Sequence, residues 1–234
     1  MFFRESTTFR AMSEALTFQA TASAGDVTAL LDLPSDARAL LVFAHGAGAG
    51  MRHVFMNGMT ERLALRGMAT LRYQFPYAEQ GRSRPDPQPV LLATVRSAVA
   101  TARARAGDLP VFAGGKSMGG RMTSLADAAA PLGVAGIVFC GFPLYPPGRP
   151  GTERAAHLAQ VSAPMLFLQG TRDTLAGLAL LEPVIASLGA RATLHIVDTA
   201  DHGFHVLKRS GLSDAGALDV LAQRVVTWSR DVLS

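Results

Sequence analysis

One five-residue stretch, Gly115-Lys116-Ser117-Met118-Gly119, constrains this chain more than any other. It follows an apolar run of strand length, Leu109-Pro110-Val111-Phe112-Ala113, and leads into a segment with helical character over 118–130. A serine placed where a strand turns abruptly into a helix is held in a sparsely populated backbone conformation, and glycines two residues to either side let neighbouring chain come close. Such strain costs roughly 1–3 kcal/mol. It serves where a hydroxyl must project past the sheet edge toward a base, with the amide of the next residue, Met118, turned toward a developing oxyanion. A glycine-rich turn with an incidental serine would look the same locally, so the rest of the chain decides.

Apolar runs of strand length alternate with longer helix-period segments, which predicts a mostly parallel sheet covered by helices on both faces. Eight strands are expected, near 16–23, 27–33, 38–44, 68–74, 110–114, 134–139, 164–169 and 192–198. The first two, joined by Ala24-Gly25-Asp26, read as an antiparallel hairpin; helices are expected near 53–66, 90–106, 118–130, 152–160, 175–188 and 214–232. Two proline-rich stretches, Arg82 to Pro89 and Phe142 to Pro150, read as surface loops on the serine's side of the sheet, where open α/β sheets bind ligands. Only about twenty residues separate Phe139 from Val161, too few for a helical lid after the sixth strand. Residues 15–234 read as a single domain and 1–14 as a loose tip, with Met12 an alternative start.

With 234 residues, 49% hydrophobic and 17% charged, the chain can bury a substantial core. The net charge of +4 comes from arginines spread along the chain, since Lys116 and Lys208 are the sole lysines. No window clusters basic residues with aromatics, so no nucleic-acid partner is expected. The lone cysteine, Cys140, excludes an intramolecular disulfide and reads as a small core residue rather than a nucleophile. The first residues lack the apolar core of a signal peptide and no run approaches membrane-spanning length, so a cytoplasmic protein without a membrane partner is expected.

A serine hydroxyl near neutral pH needs a base, and the base needs an orienting acid. Asp173 follows the seventh expected strand in Gly170-Thr171-Arg172-Asp173, and His202 follows the eighth in Asp201-His202-Gly203-Phe204. The candidate catalytic set is therefore Ser117, Asp173 and His202, each just beyond a strand's C-terminal end. Asp198 is the alternative acid, while Asp201 stands beside the base, where neighbouring side chains on a bend diverge. Among other histidines, His195 reads as a satisfied core or edge residue, His205 as a pocket candidate, and His53 and His157 as solvated. His45-Gly46-Ala47-Gly48-Ala49-Gly50, directly after the third strand, fits a loop that offers a second oxyanion donor, with the Ala47 amide as the choice beside Met118.

Competing motifs fail on count. A phosphate-binding loop ending at Gly115-Lys116-Ser117 needs glycine where Pro110 stands, and a dinucleotide fingerprint from Gly46 needs glycine at Met51. His202 and His205 lack the helical context of a zinc motif and no cysteine cluster exists, so neither cofactor nor metal is expected.

Together with Tyr73-Gln74-Phe75-Pro76-Tyr77 and Gly119-Gly120-Arg121, these motifs resemble the α/β-hydrolase superfamily over roughly residues 16–234. Within it the chain looks like the lidless, dienelactone-hydrolase-like branch, and is similar to the family of testis-expressed hydrolase-like proteins and a chromatin histone-acetyltransferase-complex subunit. The resemblance implies an α/β-hydrolase fold, a three-layer sandwich around the eight-stranded sheet. It also implies a serine hydrolase, an esterase or thioesterase of small acyl substrates, with a binding or scaffold protein and an acyltransferase as the alternatives. Phe75, Tyr77, Phe142 and Tyr145 are candidate pocket walls. Arg82 and Arg84 read as solvated loop charge, with contact to an anionic substrate as the alternative; the ammonium of Lys116 also reads as solvated, expected to point away from the nucleophile. The expected partner is a small-molecule acyl substrate, and a homodimer is left open.

Overall fold

The computed structural model describes residues 13–234. Most of the expected loose tip, residues 1–12, lies outside the described residues, while the tip's last residue, Glu14, already belongs to the first strand. Strand β1 (Glu14–Thr21) and β2 (Gly25–Asp32) form the antiparallel hairpin. There follow β3 (Ala39–Ala44), α1 (Val54–Ala64), β4 (Met68–Tyr73), the short α2 (Pro76–Glu79) and α3 (Gln88–Ala106). The second half runs through β5 (Val111–Lys116), α4 (Met118–Ala129), β6 (Ile137–Cys140), a 3-10 helix (Glu153–Gln160) and β7 (Met165–Gly170). It closes with α5 (Leu178–Ser187), β8 (Ala192–Val197) and α6 (Asp214–Leu233). Among the described residues no helix is long and apolar enough to cross a membrane.

The eight strands make one sheet in the order β1-β2-β4-β3-β5-β6-β7-β8. Only the pairings of β2 are antiparallel; from β4 to β8 the sheet is parallel. Strands buried on both faces need apolar side chains pointing both ways, which is why β3 reads Ala-Leu-Leu-Val-Phe-Ala without alternation. Leu40 and Val42 face one core layer with Val95 and Val99 of α3, Met122 of α4 and Leu181 of α5. Leu41 and Phe43 face the other, with Met59 of α1 and Leu221 and Val225 of α6. The result is the expected three-layer sandwich.

Several expectations shift. The helix expected near 152–160 coils as a 3-10 helix over Glu153–Gln160 rather than as an α-helix, and its three-residue period puts the buried Ala155 and Leu158 on one face against the core. Pro89, expected in a loop, sits in the first turn of α3, where its missing N–H costs no intrahelical bond. Helix α5 begins at Leu178, later than expected, because the carboxylate of Asp173 takes the Leu175 amide at 2.8 Å and holds a turn there. The connection from β6 to β7 carries only the 3-10 helix and no lid.

Strand order reverses between β3 and β5: β4 follows β3 on one side, while β5 lies on the other. Loops leaving such neighbours part in opposite directions and open a crevice at the strands' C-terminal ends. The loop after β3 begins at His45 and the turn after β5 holds Ser117, so the topology alone brings these two motifs together.

Candidate active site

Ser117 has φ 50° and ψ −114°, a positive φ that a serine adopts only when its surroundings enforce it. The enforcement is steric. A Cβ on Gly115 would lie 2.4 Å from the Ala44 carbonyl oxygen, and one on Gly119 would lie 2.5 Å from that oxygen and 2.6 Å from the His45 carbonyl oxygen. Both glycines let the turn press against the end of β3, and the Ser117 amide donates to the Cys140 carbonyl at 3.0 Å from the other side.

The raised hydroxyl meets the imidazole of His202, with Ser117 Oγ 2.8 Å from Nε2. Nδ1 of the same ring lies 2.7 Å from Oδ2 of Asp173. An ionised carboxylate only accepts, so Nδ1 carries the hydrogen and Nε2 is left to accept from the serine. The Asp173 side chain is 1% exposed and that of His202 25%, so the carboxylate is enclosed while the imidazole keeps an open edge. Asp198 accepts from the Thr171 hydroxyl at 3.3 Å and Asp201 from the Gly203 and His205 amides, and neither touches the ring.

Gln169 is the residue sequence reasoning missed. Fully buried at the end of β7, it donates to Oδ2 of Asp173 and accepts the Phe142 amide at 3.0 Å, so one amide group fixes both the acid and the loop after β6. The signal was a polar residue inside the otherwise apolar run Met-Leu-Phe-Leu-Gln-Gly.

After β3, His45 is fully buried with Nδ1 2.8 Å from the Gly46 carbonyl oxygen, and its Nε2 accepts the Phe75 amide at 3.2 Å. Burial pushes its pKa down to about 4, the Gly46 carbonyl partly opposing, so the ring is neutral and structural. It braces the loop carrying Ala47, which is exposed. Among the described residues, neither the Ala47 nor the Met118 amide donates to another protein group.

The four aromatic pocket candidates are corrected. Phe75 and Phe142 have no exposed surface, Tyr77 is 1% and Tyr145 7% exposed. Phe75 and Tyr77 pack against His45, with ring centroids at 5.1 and 5.9 Å. Phe142 packs on Phe139 and Phe167, and the Tyr145 hydroxyl accepts the Gly177 amide at 2.8 Å. These side chains therefore present little or no surface to a ligand in this structure.

Other expectations also change. Lys116 is not solvated: its ammonium donates to the main-chain oxygen of His202 at 2.6 Å. His157 is not solvated either, since its Nε2 lies 2.8 Å from the Ser124 hydroxyl and burial pushes its pKa down to about 4. His195, expected to be satisfied, has a buried Nε2 without a partner among the described residues. His205, 70% exposed, pairs with Asp214 at 2.7 Å instead of lining a pocket. His53 and Arg82 are exposed as expected, the first capping α1 and the second pairing with Asp86.

Residues 37–230 match the α/β-hydrolase domain family, and the chain belongs to it. A dienelactone hydrolase of Anabaena variabilis superposes on 93% of this chain and 96% of its own, with a TM-score of 0.73 at 24% identity. A serine hydrolase without a lid from Xanthomonas campestris covers 92% of this chain and 96% of its own, with a TM-score of 0.68 at 22% identity. At these identities the likeness is one of fold. Two Mycobacterium tuberculosis proteins that bear a phosphoribosyl transferase name are 27% identical over 219 residues, 92% of this chain and 46% of theirs. The chain thus spans about half the length of the curated relatives it matches.

Proposed function

We propose that the protein is a serine hydrolase that cleaves a small acyl ester or thioester through an acyl-enzyme on Ser117. The observation that carries this reading is the unbroken relay of 2.8 Å from Ser117 Oγ to His202 and 2.7 Å from His202 to Asp173, built on a serine held at positive φ. Ser117 Oγ attacks the acyl carbon as Nε2 of His202 takes its proton; the same proton goes to the departing alkoxide or thiolate. Water then attacks the acyl-enzyme with His202 again as base, releasing the acid and restoring the serine. Asp173 keeps Nδ1 protonated and stabilises the imidazolium. The Ala47 and Met118 amides hold the oxyanion, a task in which one lost donor costs about 2.7–4 kcal/mol in the chemical step.

The phosphoribosyl transferase name is not carried over, because the match covers 46% of those proteins and a hydroxyl paired with an imidazole is acyl-transfer machinery. The narrower likeness to the testis-expressed and chromatin-associated proteins rests on the shared motifs. The test is intact-mass analysis after incubation with a fluorophosphonate. A single adduct on the wild type, absent from Ser117→Ala, is expected; folded wild type that takes no adduct would overturn the reading and leave a binding protein on a hydrolase scaffold.

A further inference from the structure

The lysine within the elbow takes no part in the roles just assigned, yet its side chain stays in the site. Lys116 ends β5, and its Nζ bonds the main-chain oxygen of His202 at 2.6 Å. The same ammonium lies 5.6 Å from the ring centroids of both Phe55 and Phe204, which stack on each other at 5.7 Å. A bond from an ammonium to a carbonyl and the attraction of a cation to aromatic faces both depend on the charge. An apolar side chain of equal length would supply neither.

The base needs such a hold. His202 lies on a tight turn flanked by Thr199 at φ 56° and Phe204 at φ 66°. Asp201 closes the turn on itself, accepting the Gly203 and His205 amides at 2.8 and 3.0 Å and donating its own to the His205 carbonyl at 3.0 Å. Those bonds set the turn's shape without setting its distance from Ser117. Arg172 anchors the chain before it, at the Thr199 carbonyl. Once Ser117 is acylated its hydroxyl no longer bonds the imidazole, and the ring keeps only Asp173. The bond from Lys116 to the main chain does not involve the reacting atoms and persists through the cycle.

We propose that Lys116 is a positioning residue for His202, clamping the base's main chain from the residue next to the nucleophile; the inference rests on the reading of Ser117 as nucleophile. Burial pushes the Lys116 pKa down to about 8, with Cys140, Asp173 and Asp201 opposing, so the clamp loses its charge within a range where the protein can be assayed. The groups facing the ammonium are Cys140 from β6, which burial pushes up to about 12, the carboxylates of Asp173 and Asp201, and His202 itself. Activity therefore acquires an alkaline limb near pH 8 that belongs to the lysine.

The test is the rate of fluorophosphonate labelling between about pH 6 and pH 10 for the wild type, Lys116→Met and Lys116→Arg, with the adduct located by mass. Lys116→Met is expected to label ~10-fold to ~100-fold more slowly on the plateau, the range spanned by one hydrogen bond to a charged group, and to lose the alkaline limb. Lys116→Arg stays charged throughout and is expected to lose the limb whatever its plateau. A wild-type rate in Lys116→Met, or a limb that survives in either variant, overturns the proposal while the labelled Ser117 stands. Wild type that is never labelled overturns the nucleophile first and the clamp with it. Should Lys116→Met not fold, Lys116→Arg decides through the limb alone.

Discussion

Replacing Gly119 by alanine separates two effects that usually run together. In an exposed helix interior, glycine to alanine is favourable by about 1 kcal/mol. At Gly119 the new methyl would lie 2.5 Å from the Ala44 oxygen, 2.6 Å from the His45 oxygen and 2.7 Å from the Ala44 carbonyl carbon, all main-chain atoms at the end of β3. Nothing there can rotate away, so α4 must retreat from β3, and overpacking of this kind costs roughly 1–3 kcal/mol or more. The net expectation is destabilisation, with thermal unfolding lowered by about 2–4 °C for each kcal/mol in a domain of this size. The retreat also carries Ser117 and the Met118 amide away from His202 and the Ala47 loop, so fluorophosphonate labelling slows. Gly58→Ala in α1 is the control, because its methyl meets Cδ1 of Leu218 at 2.8 Å, the end of a side chain that can turn aside. Gly58→Ala should match or exceed the wild type in unfolding midpoint and label at the wild-type rate. A Gly119→Ala protein with wild-type midpoint and labelling would refute the claim that packing against β3 sets the elbow.

Three further outcomes are expected from the geometry. Gln169→Leu leaves the buried Phe142 amide without its acceptor and removes one of the three donors to the Asp173 carboxylate, the Leu175 amide and the His202 imidazole remaining; one unsatisfied buried group costs about 1–3 kcal/mol, so both unfolding midpoint and labelling rate should fall together. Asp173→Asn keeps the packing but favours the wrong tautomer of His202, so ester turnover should fall roughly 10⁴-fold with little change in unfolding midpoint, and a smaller loss would argue that the acid is elsewhere. His45 has a folded pKa of about 4 against an ordinary value of 6.5, so the unfolded chain binds a proton that the folded one refuses between them. Its contribution is present above pH 6.5 and is lost as pH falls toward 4, up to roughly 3 kcal/mol, with His157 acting in the same direction. Urea midpoints from pH 7 downward should slope less steeply in His45→Asn; an unchanged slope would remove His45 as the cause.

The strands were legible because those buried on both faces must be apolar throughout, as in Ala39–Ala44, and the glycines around Ser117 because no other residue fits so near the end of β3. Order along the chain favoured Asp173 over Asp198, and it is the Asp173 carboxylate that lies against the His202 ring. Lys116 was not legible: charge predicts exposure, and two rings from distant segments, Phe55 and Phe204, had to close over it before the ammonium had anywhere else to go. Phe75 and Phe142 were misread for a related reason. An aromatic at a strand end faces either the crevice or the layer beneath it, and only the tertiary packing of His45 and Phe167 selects the layer. Gln169 could have been flagged by its polarity within an apolar strand, but its two partners lie on different loops.

The bare connection between β6 and β7 bears on the fate of an acylated serine. Among the described residues that connection supplies no α-helical cover, so an acyl group on Ser117 would have one wall fewer between it and solvent. Whether that group goes to water or to another acceptor would then depend on which molecules surround the protein and at what concentration.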